Sequence, residues 1–506
     1  MFGKAIGLCR ICVAAAVLIA APQAFAGKKD DTLNIAWGTS LPSYDAYFDD
    51  QHEEQILLYL IWDTLIDRDP ATGNYRPLLA KSYRWIDPQT MEFVIRDGIK
   101  FHNGDTFSAD DVVYTLNYIA DPANHVFPQP LYNWISKAEK VGDDKVVLHF
   151  SRANPAAEAY LATHIPIYPK AYYQRVGSRG MSDKPVGTGP YRVTAAVTGQ
   201  SITLERNPDY FEASPKGKPA IGRIVQRTIP DAQTAVTELL TGRIDWLDRV
   251  SSDIAGRLEA NRRFRVSRTP VARINWIDLD TAGRSGKNPF QDTRVRQALG
   301  YAIDREAIAK TLNPGSIVLK APCASSMFGC AQDIPQHGFD PAKAKELLVQ
   351  AGYPDGFESD FYAYTDRSIV EAVAQNLRDV GIKLHLIYLP LETILQKEAQ
   401  GTMPLVYLSN SGFGVPDASI ILNQYFTGGP QDFTRDQEII DWVKQAGLTS
   451  DPAQRQPILE KAITKIAAEA YWVPMTSGVV NFAYSDAVDF EPYNDEVAHL
   501  YLTRWR

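Results

Sequence analysis

Apolar and polar positions along this chain follow two grammars, one before about residue 190 and another after about 290. Residues 32–37, TLNIAW, form a short apolar-rich run, and the Gly, Pro and Ser of GTSLPSYDAY close it, which predicts an opening strand and a loop. Helical spacing occupies 52–66. SYRWI (82–86) and MEFVIR (91–96) then alternate apolar with polar residues around Asp87-Pro88-Gln89-Thr90, so an antiparallel hairpin is expected there. Ser108 and Asp111 form a helix-start pattern before VVYTLNYI. KAEKV (137–141), Gly142-Asp143-Asp144 and KVVLHF (145–150) predict a second hairpin.

Later in the chain, helical and strand periods alternate. Residues 293–312 read as one strong helix, and Asp340-Pro341 supplies an N-cap and first position for a helix that Gly352 ends. Helix 367–380 leads to strand KLHLIYL (383–389), and helix 391–400 leads to strand PLVYL (404–408). Such alternation implies βαβ units with parallel pairing, hence an α/β lobe. A long helix over 452–470 precedes YWVPM (471–475), and VVNFAY (479–484) reads as a last strand returning to the first lobe.

The N-terminus changes the picture of the remainder. Lys4 and Arg10 precede an apolar run over 11–21, and Ala24-Phe25-Ala26 supplies an A-x-A site, which predicts a secretory signal peptide cleaved after Ala26. That run is about half of the roughly 20 residues a membrane span needs. The 506-residue chain carries 52 Lys+Arg against 60 Asp+Glu, a net charge of -8, and loss of two basic residues with the signal makes it more acidic. Nucleic acid is therefore not an expected partner. Cys9 and Cys12 leave with the signal, so their C-x-x-C spacing carries no redox chemistry. Cys323 and Cys330 remain, in the loop-like APCASSMFGC of an exported chain, and a local disulfide is expected. No metal is expected: a zinc site needs two more ligands, and the nearest histidine is His337.

Catalytic signatures fail on inspection. His52-Glu53-Glu54-Gln55-Ile56 begins like H-E-x-x-H but has Ile in the second ligand position, and reads instead as an exposed helix turn. Gly187-Thr188-Gly189-Pro190-Tyr191 lacks the Lys of a phosphate loop and the third Gly of a dinucleotide fingerprint, so it reads as structural. No G-x-S-x-G occurs, and the eight histidines are scattered. With 9 Trp, 25 Tyr and 20 Phe, the chain has flat walls for a polar organic ligand. These features suggest a ligand-capturing protein with no cofactor.

Five stretches in order along the chain resemble the family 5 solute-binding proteins of peptide, nickel and opine ABC transporters. They are 58–119, with WDTLIDRDP, YRPLLAKSYRW and FVIRDGIKFHNGDTFSADDVVYTL; GTGPYRV (187–193) with ITLERNPDYF (202–211); NPFQDTRVRQALGYAIDREAI (288–308); FDPAKAKELLVQAGYPDGF (339–357); and VPDASIILNQYF (415–426). The resemblance implies an α/β periplasmic-binding-protein-like fold, two lobes joined by a hinge, with a smaller extra domain. Lobe I is expected over 27–70, 185–277 and 478–506, domain II over 71–184, and lobe III over 278–477, with hinge crossings near 273–281 and 474–480.

It also implies a function: a monomeric periplasmic protein that captures an oligopeptide or peptide-like solute and delivers it to inner-membrane permease subunits. An opine, a sugar-conjugated amino compound or a metal chelate is the alternative cargo; a chaperone-like binder of extended chains and a secreted hydrolase are alternatives of other classes. Peptide binders of the family anchor the ligand's amino group on an Asp in a segment resembling W-x-x-D. Here that segment is LSNSGFGVPD (408–417), with no Trp and no acid before Asp417. Asn410, Ser411, Phe413 and Asp417 are the candidate ligand contacts.

Overall fold

The run TLNIAW forms strand Thr32–Trp37 of a ten-stranded sheet, in a computed structural model that describes residues 27–49 and 51–506. The expected signal peptide, 1–26, lies outside the described residues, as does the side chain of Phe413.

Across the large sheet the strands run Ile382–Tyr388, Phe357–Ala363, Leu405–Asn410, Phe264–Leu279, Trp472–Ser485, Trp246–Leu247, Thr32–Trp37, Arg223–Thr228, Ser201–Arg206 and Tyr191–Val197. Phe357–Ala363 pairs in parallel with both Ile382–Tyr388 and Leu405–Asn410, as the βαβ alternation requires. The two long central strands are antiparallel partners, Phe264 facing Ser485 and Asp278 facing Trp472. Their ends serve different cores. Val271, Val480 and Phe482 join the cluster around Leu33, Trp62 and Tyr168, whereas Ile274, Trp276 and Trp472 join another around Phe426 and Leu459. The chain therefore passes between two lobes inside one strand pair. Where it passes, register slips between Val271 and Ile274 and again before Trp276, a bulged stretch that holds Arg273.

A separate four-stranded antiparallel sheet, ordered Ala80–Asp87, Thr90–Ile95, Lys145–Phe150, Ile135–Val141, contains both expected hairpins. Helix Ala109–Ala120 starts as the S-x-x-D pattern predicts: Ser108 donates from N and Oγ to Asp111 Oδ2, each at 2.9 Å.

Three expectations change. Helix 52–66 ends at Ile61, because Trp62 turns extended and the following Asp63 is drawn into a buried pair with Lys216 at 2.8 Å. Helix 293–312 is two helices, Thr293–Ala302 and Arg305–Leu312, since the Asp304 side chain accepts from Ala307 N and starts a new N-terminus. The runs 471–475 and 479–484 are one strand, Trp472–Ser485, which Gly478 continues without interruption.

The Gly-Thr-Gly-Pro segment packs against the end of the first long helix. A Cβ at Gly187 would lie 2.1 Å from the Ile61 carbonyl oxygen, and one at Gly189 2.7 Å from it, so glycine is required by close backbone approach. Cys323 and Cys330 are joined in a disulfide with Cα atoms 5.9 Å apart. Among the described residues no helix is long and apolar enough to cross a membrane.

Candidate functional site

Between the lobes lies a cleft of two chambers. The outer one, about 830 Å³, is bordered by Arg68, Pro270 and Asn494 of the first lobe, by Tyr75, Trp85 and Ala159 from the stretch that carries the small sheet, and by Phe328, Asp417 and Arg455 of the second lobe. Its size falls within the range of roughly 300 to 1,000 Å³ typical of small-molecule sites. The inner one is about 200 Å³ and charged: Asp49, Glu54, Arg249, Arg273, Asp495 and Glu496 border it, with Ser411 and Gly414 from the second lobe. A gap of about 10 Å³ shares Arg68, Ser326 and Asn494 with the outer chamber and Ser411, Asp495 and Glu496 with the inner, so it lies between the two.

The outer wall is built from a covalent loop. The disulfide closes 323–330, and within it Phe328 N donates to Pro416 O while Phe328 O accepts from Ala418 N, each at 3.0 Å. That pairing fixes the loop onto the start of helix Ala418–Tyr425, whose N-cap is Asp417. Arg455 donates to Asp417 Oδ2 at 2.6 Å and to Oδ1 at 2.8 Å, and its guanidinium lies 5.2 Å from the Phe328 ring centroid.

The four sequence candidates therefore separate. Ser411 borders the inner chamber and the gap. Asn410 is turned into its own lobe, donating to Gln424 Oε1 at 3.1 Å and accepting from Gly412 N at 2.7 Å. Asp417 borders the outer chamber, and its carboxylate is already engaged by Arg455, Ser419 Oγ and the helix N-terminus. The side chain of Phe413 lies outside the described residues, in the turn Gly412–Gly414.

Sequence reasoning missed the inner chamber. His52-Glu53-Glu54-Gln55 is no exposed turn: Glu53 and Glu54 are buried, and burial beside the Asp49 and Asp45 carboxylates holds the Glu54 carboxyl well above its ordinary range. A signal was present, since ILLYLI after Gln55 is apolar on every face, the mark of a buried helix. Opposite charges meet in the same space. Arg249 Nη2 approaches Glu496 Oε2 at 3.4 Å, and Arg273 Nε approaches Oε1 at 3.2 Å, so two guanidiniums share one carboxylate. Arg273 stands in the bulge, and across from it Gly478 has no side chain to collide with its Cβ, which a Cβ there would meet at 2.8 Å.

The profile of the bacterial extracellular solute-binding proteins, family 5 Middle, matches residues 74–433. The chain belongs to that family. Among its curated relatives is the glutathione-binding protein GsiB of Escherichia coli strain K12, 26% identical over 493 residues, covering 93% of this chain and 92% of the relative. HbpA2 from Haemophilus parasuis superimposes with a TM-score of 0.84 at 21% identity, covering 94% of this chain and all of that one. The ABC transporter-associated periplasmic binding protein DppA from Helicobacter pylori, in complex with the peptide STSA, has a TM-score of 0.73 at 23% identity, covering 94% of this chain and 98% of that one. These neighbours share the two-lobe α/β fold, and the cleft of this family 5 protein lies between its lobes.

Proposed function

We propose that this family 5 protein is the periplasmic binding subunit of an ABC importer and captures a peptide-like solute without chemical turnover. The observation that carries the reading is the adjacent pair of chambers between the lobes, the outer one lined by aromatic and apolar side chains together with Arg68, Glu158 and the Asp417–Arg455 pair, and the inner one by opposed charges. Such a cavity holds an extended ligand with an apolar body and a charged end. Glutathione, the ligand named for the curated relatives, is the first cargo to test. The division into lobe I (27–70, 185–277, 478–506), domain II (71–184) and lobe III (278–477) is part of this reading; the small sheet at 80–150 and the crossing strand pair support it. So are export by a signal cleaved after Ala26, and delivery to inner-membrane permease subunits by a monomer.

Mass spectrometry of what the natively exported protein retains tests the reading, together with N-terminal sequencing. A stoichiometric peptide-like solute and an N-terminus at Gly27 are expected. Turnover of the retained solute by the purified protein, or stoichiometric capture of unfolded chains in its place, would refute it.

A further inference from the structure

We infer that the inner chamber receives an amino-acid head, a carbon bearing both a free ammonium and a carboxylate, with Glu54 taking the ammonium and Arg273 with Arg249 taking the carboxylate. This rests on the binding reading above and specifies which end of the solute enters and which lobe holds it.

Three observations converge. First, Glu54 borders the chamber, is only 3% exposed, and its Oε1 has no hydrogen-bond partner. A buried acceptor left unpaired is costly, and a carboxyl without a cation is more so. Its neighbours make the deficit worse, because Asp49 borders the same chamber and Asp45 lies close enough to add repulsion. The Asp49 and Asp45 charges that add to the effect of burial on Glu54 also favour an ammonium beside it.

Second, the opposite pole presents two guanidiniums. Arg249 and Arg273 share the single Glu496 carboxylate at 3.4 and 3.2 Å, and each guanidinium carries five N–H donors, more than that carboxylate takes up. Arginine presents donors in a fork suited to a carboxylate.

Third, the two poles bound one space of about 200 Å³, too small for a whole ligand of drug-like size and next to the outer chamber, which has room for the rest. An α-linked peptide presents an ammonium at its N-terminus without a carboxylate on the same carbon. A γ-glutamyl peptide presents both.

Calorimetry on the exported protein stripped of ligand distinguishes these cases, with three probes: glutathione, its α-linked isomer Glu-Cys-Gly, and N-acetylglutathione. Glutathione is expected to bind at least tenfold more tightly than the α-linked isomer, and acetylation to cost roughly a hundredfold, since it removes the charge-assisted hydrogen bond from the ammonium to Glu54 and adds bulk in a chamber of about 200 Å³. Glu54→Gln should cost a similar factor for glutathione and abolish the discrimination against N-acetylglutathione, while Arg273→Gln should abolish the preference over the α-linked isomer. The acetylation arm uses the unmutated protein, so it stands even if a variant fails to fold. Equal binding of glutathione and N-acetylglutathione, or a folded Glu54→Gln that keeps full affinity, overturns the inference while leaving the transport reading intact. So does failure of all three probes to bind when the native protein retains a different peptide-like solute. Retention of no such solute defeats the transport reading itself.

Discussion

Asp417 and Arg455 form a bidentate pair at 2.6 and 2.8 Å, with both side chains more than nine-tenths buried beneath the outer chamber. Its contacts are architectural: it neutralises Arg455, accepts from Ser419, and starts a helix. Replacing Asp417 by Asn leaves a guanidinium buried without a counter-charge, at a cost of about 3 to 5 kcal/mol. Denaturant titration should show that loss, and calorimetry of the folded fraction should show affinity for the retained ligand changed by less than about tenfold. A hundredfold loss in a stably folded variant would return Asp417 to the role of ligand anchor.

The disulfide braces the same wall. Thiol labelling of the denatured, unreduced protein should find essentially no free thiol outside the signal segment. By closure entropy for so short a loop, the bond contributes about 2 to 3 kcal/mol, and the double Ser variant should lose that much. Because Ser326, Met327 and Phe328 border the cleft, its affinity should also fall modestly, unlike that of a variant destabilised elsewhere to the same degree. Unchanged affinity would show that the Phe328–Pro416 and Ala418–Phe328 backbone bonds alone hold the wall.

Closure is the third expectation. The lobes are joined through the pair Phe264–Leu279 and Trp472–Ser485, with its ladder interrupted at Val271–Trp276, where bending costs fewest hydrogen bonds. Arg273 in that interruption lines the inner chamber, so a ligand bound there touches the crossing itself. Small-angle scattering should give a smaller radius of gyration at saturation than in the stripped protein, since a ligand shifts the lobes only if it binds the closed form better. An identical radius at demonstrated saturation would refute the hinge.

How much of this was legible in the sequence follows from the range of each interaction. The hairpin Ala80–Asp87/Thr90–Ile95 and the helix Pro341–Gln350 behind Asp340 are set by signals within ten residues, and the chain states them openly; strand Phe357–Ala363, whose partner begins at Ile382, was not expected. Asp304 was the same kind of signal, a cap inside an apparently continuous helical period, and the period masked it. The inner chamber is different. Glu54, Arg249, Arg273 and Glu496 are brought together only by the long strand pair and the C-terminal segment, so no local motif contains them. The W-x-x-D comparison directed attention to 408–417, and of the described side chains there Ser411 alone borders that chamber, Asp417 only the outer one.

The last prediction concerns pH and a carboxyl outside the cleft. Glu398, in the last turn of Leu391–Gln400, is fully buried; Gln431 donates to its Oε2 at 2.8 Å, and Oε1 has no partner. Burial pushes its pKa up from 4.5 to about 7, against the opposing pull of the Gln431 hydrogen bond and the Arg284 charge. A carboxyl with a folded-state pKa above its unfolded one favours folding in its protonated form. Its contribution is therefore complete below about pH 4.5 and is lost as pH rises through about 7. The loss is on the order of 3 kcal/mol, taking 1.36 kcal/mol per pKa unit. Glu398→Gln keeps the shape and removes the ionisation, so its stability should vary less between pH 4.5 and 8 than that of the unmutated protein and should exceed it at pH 8. Asp278, buried nearby and also held well above its ordinary range by burial and by the Glu398 charge, acts in the same direction and leaves a residual slope in the variant. Thermal melts of both proteins across that window decide the matter, and parallel curves would mean that Glu398 keeps the same proton affinity folded and unfolded.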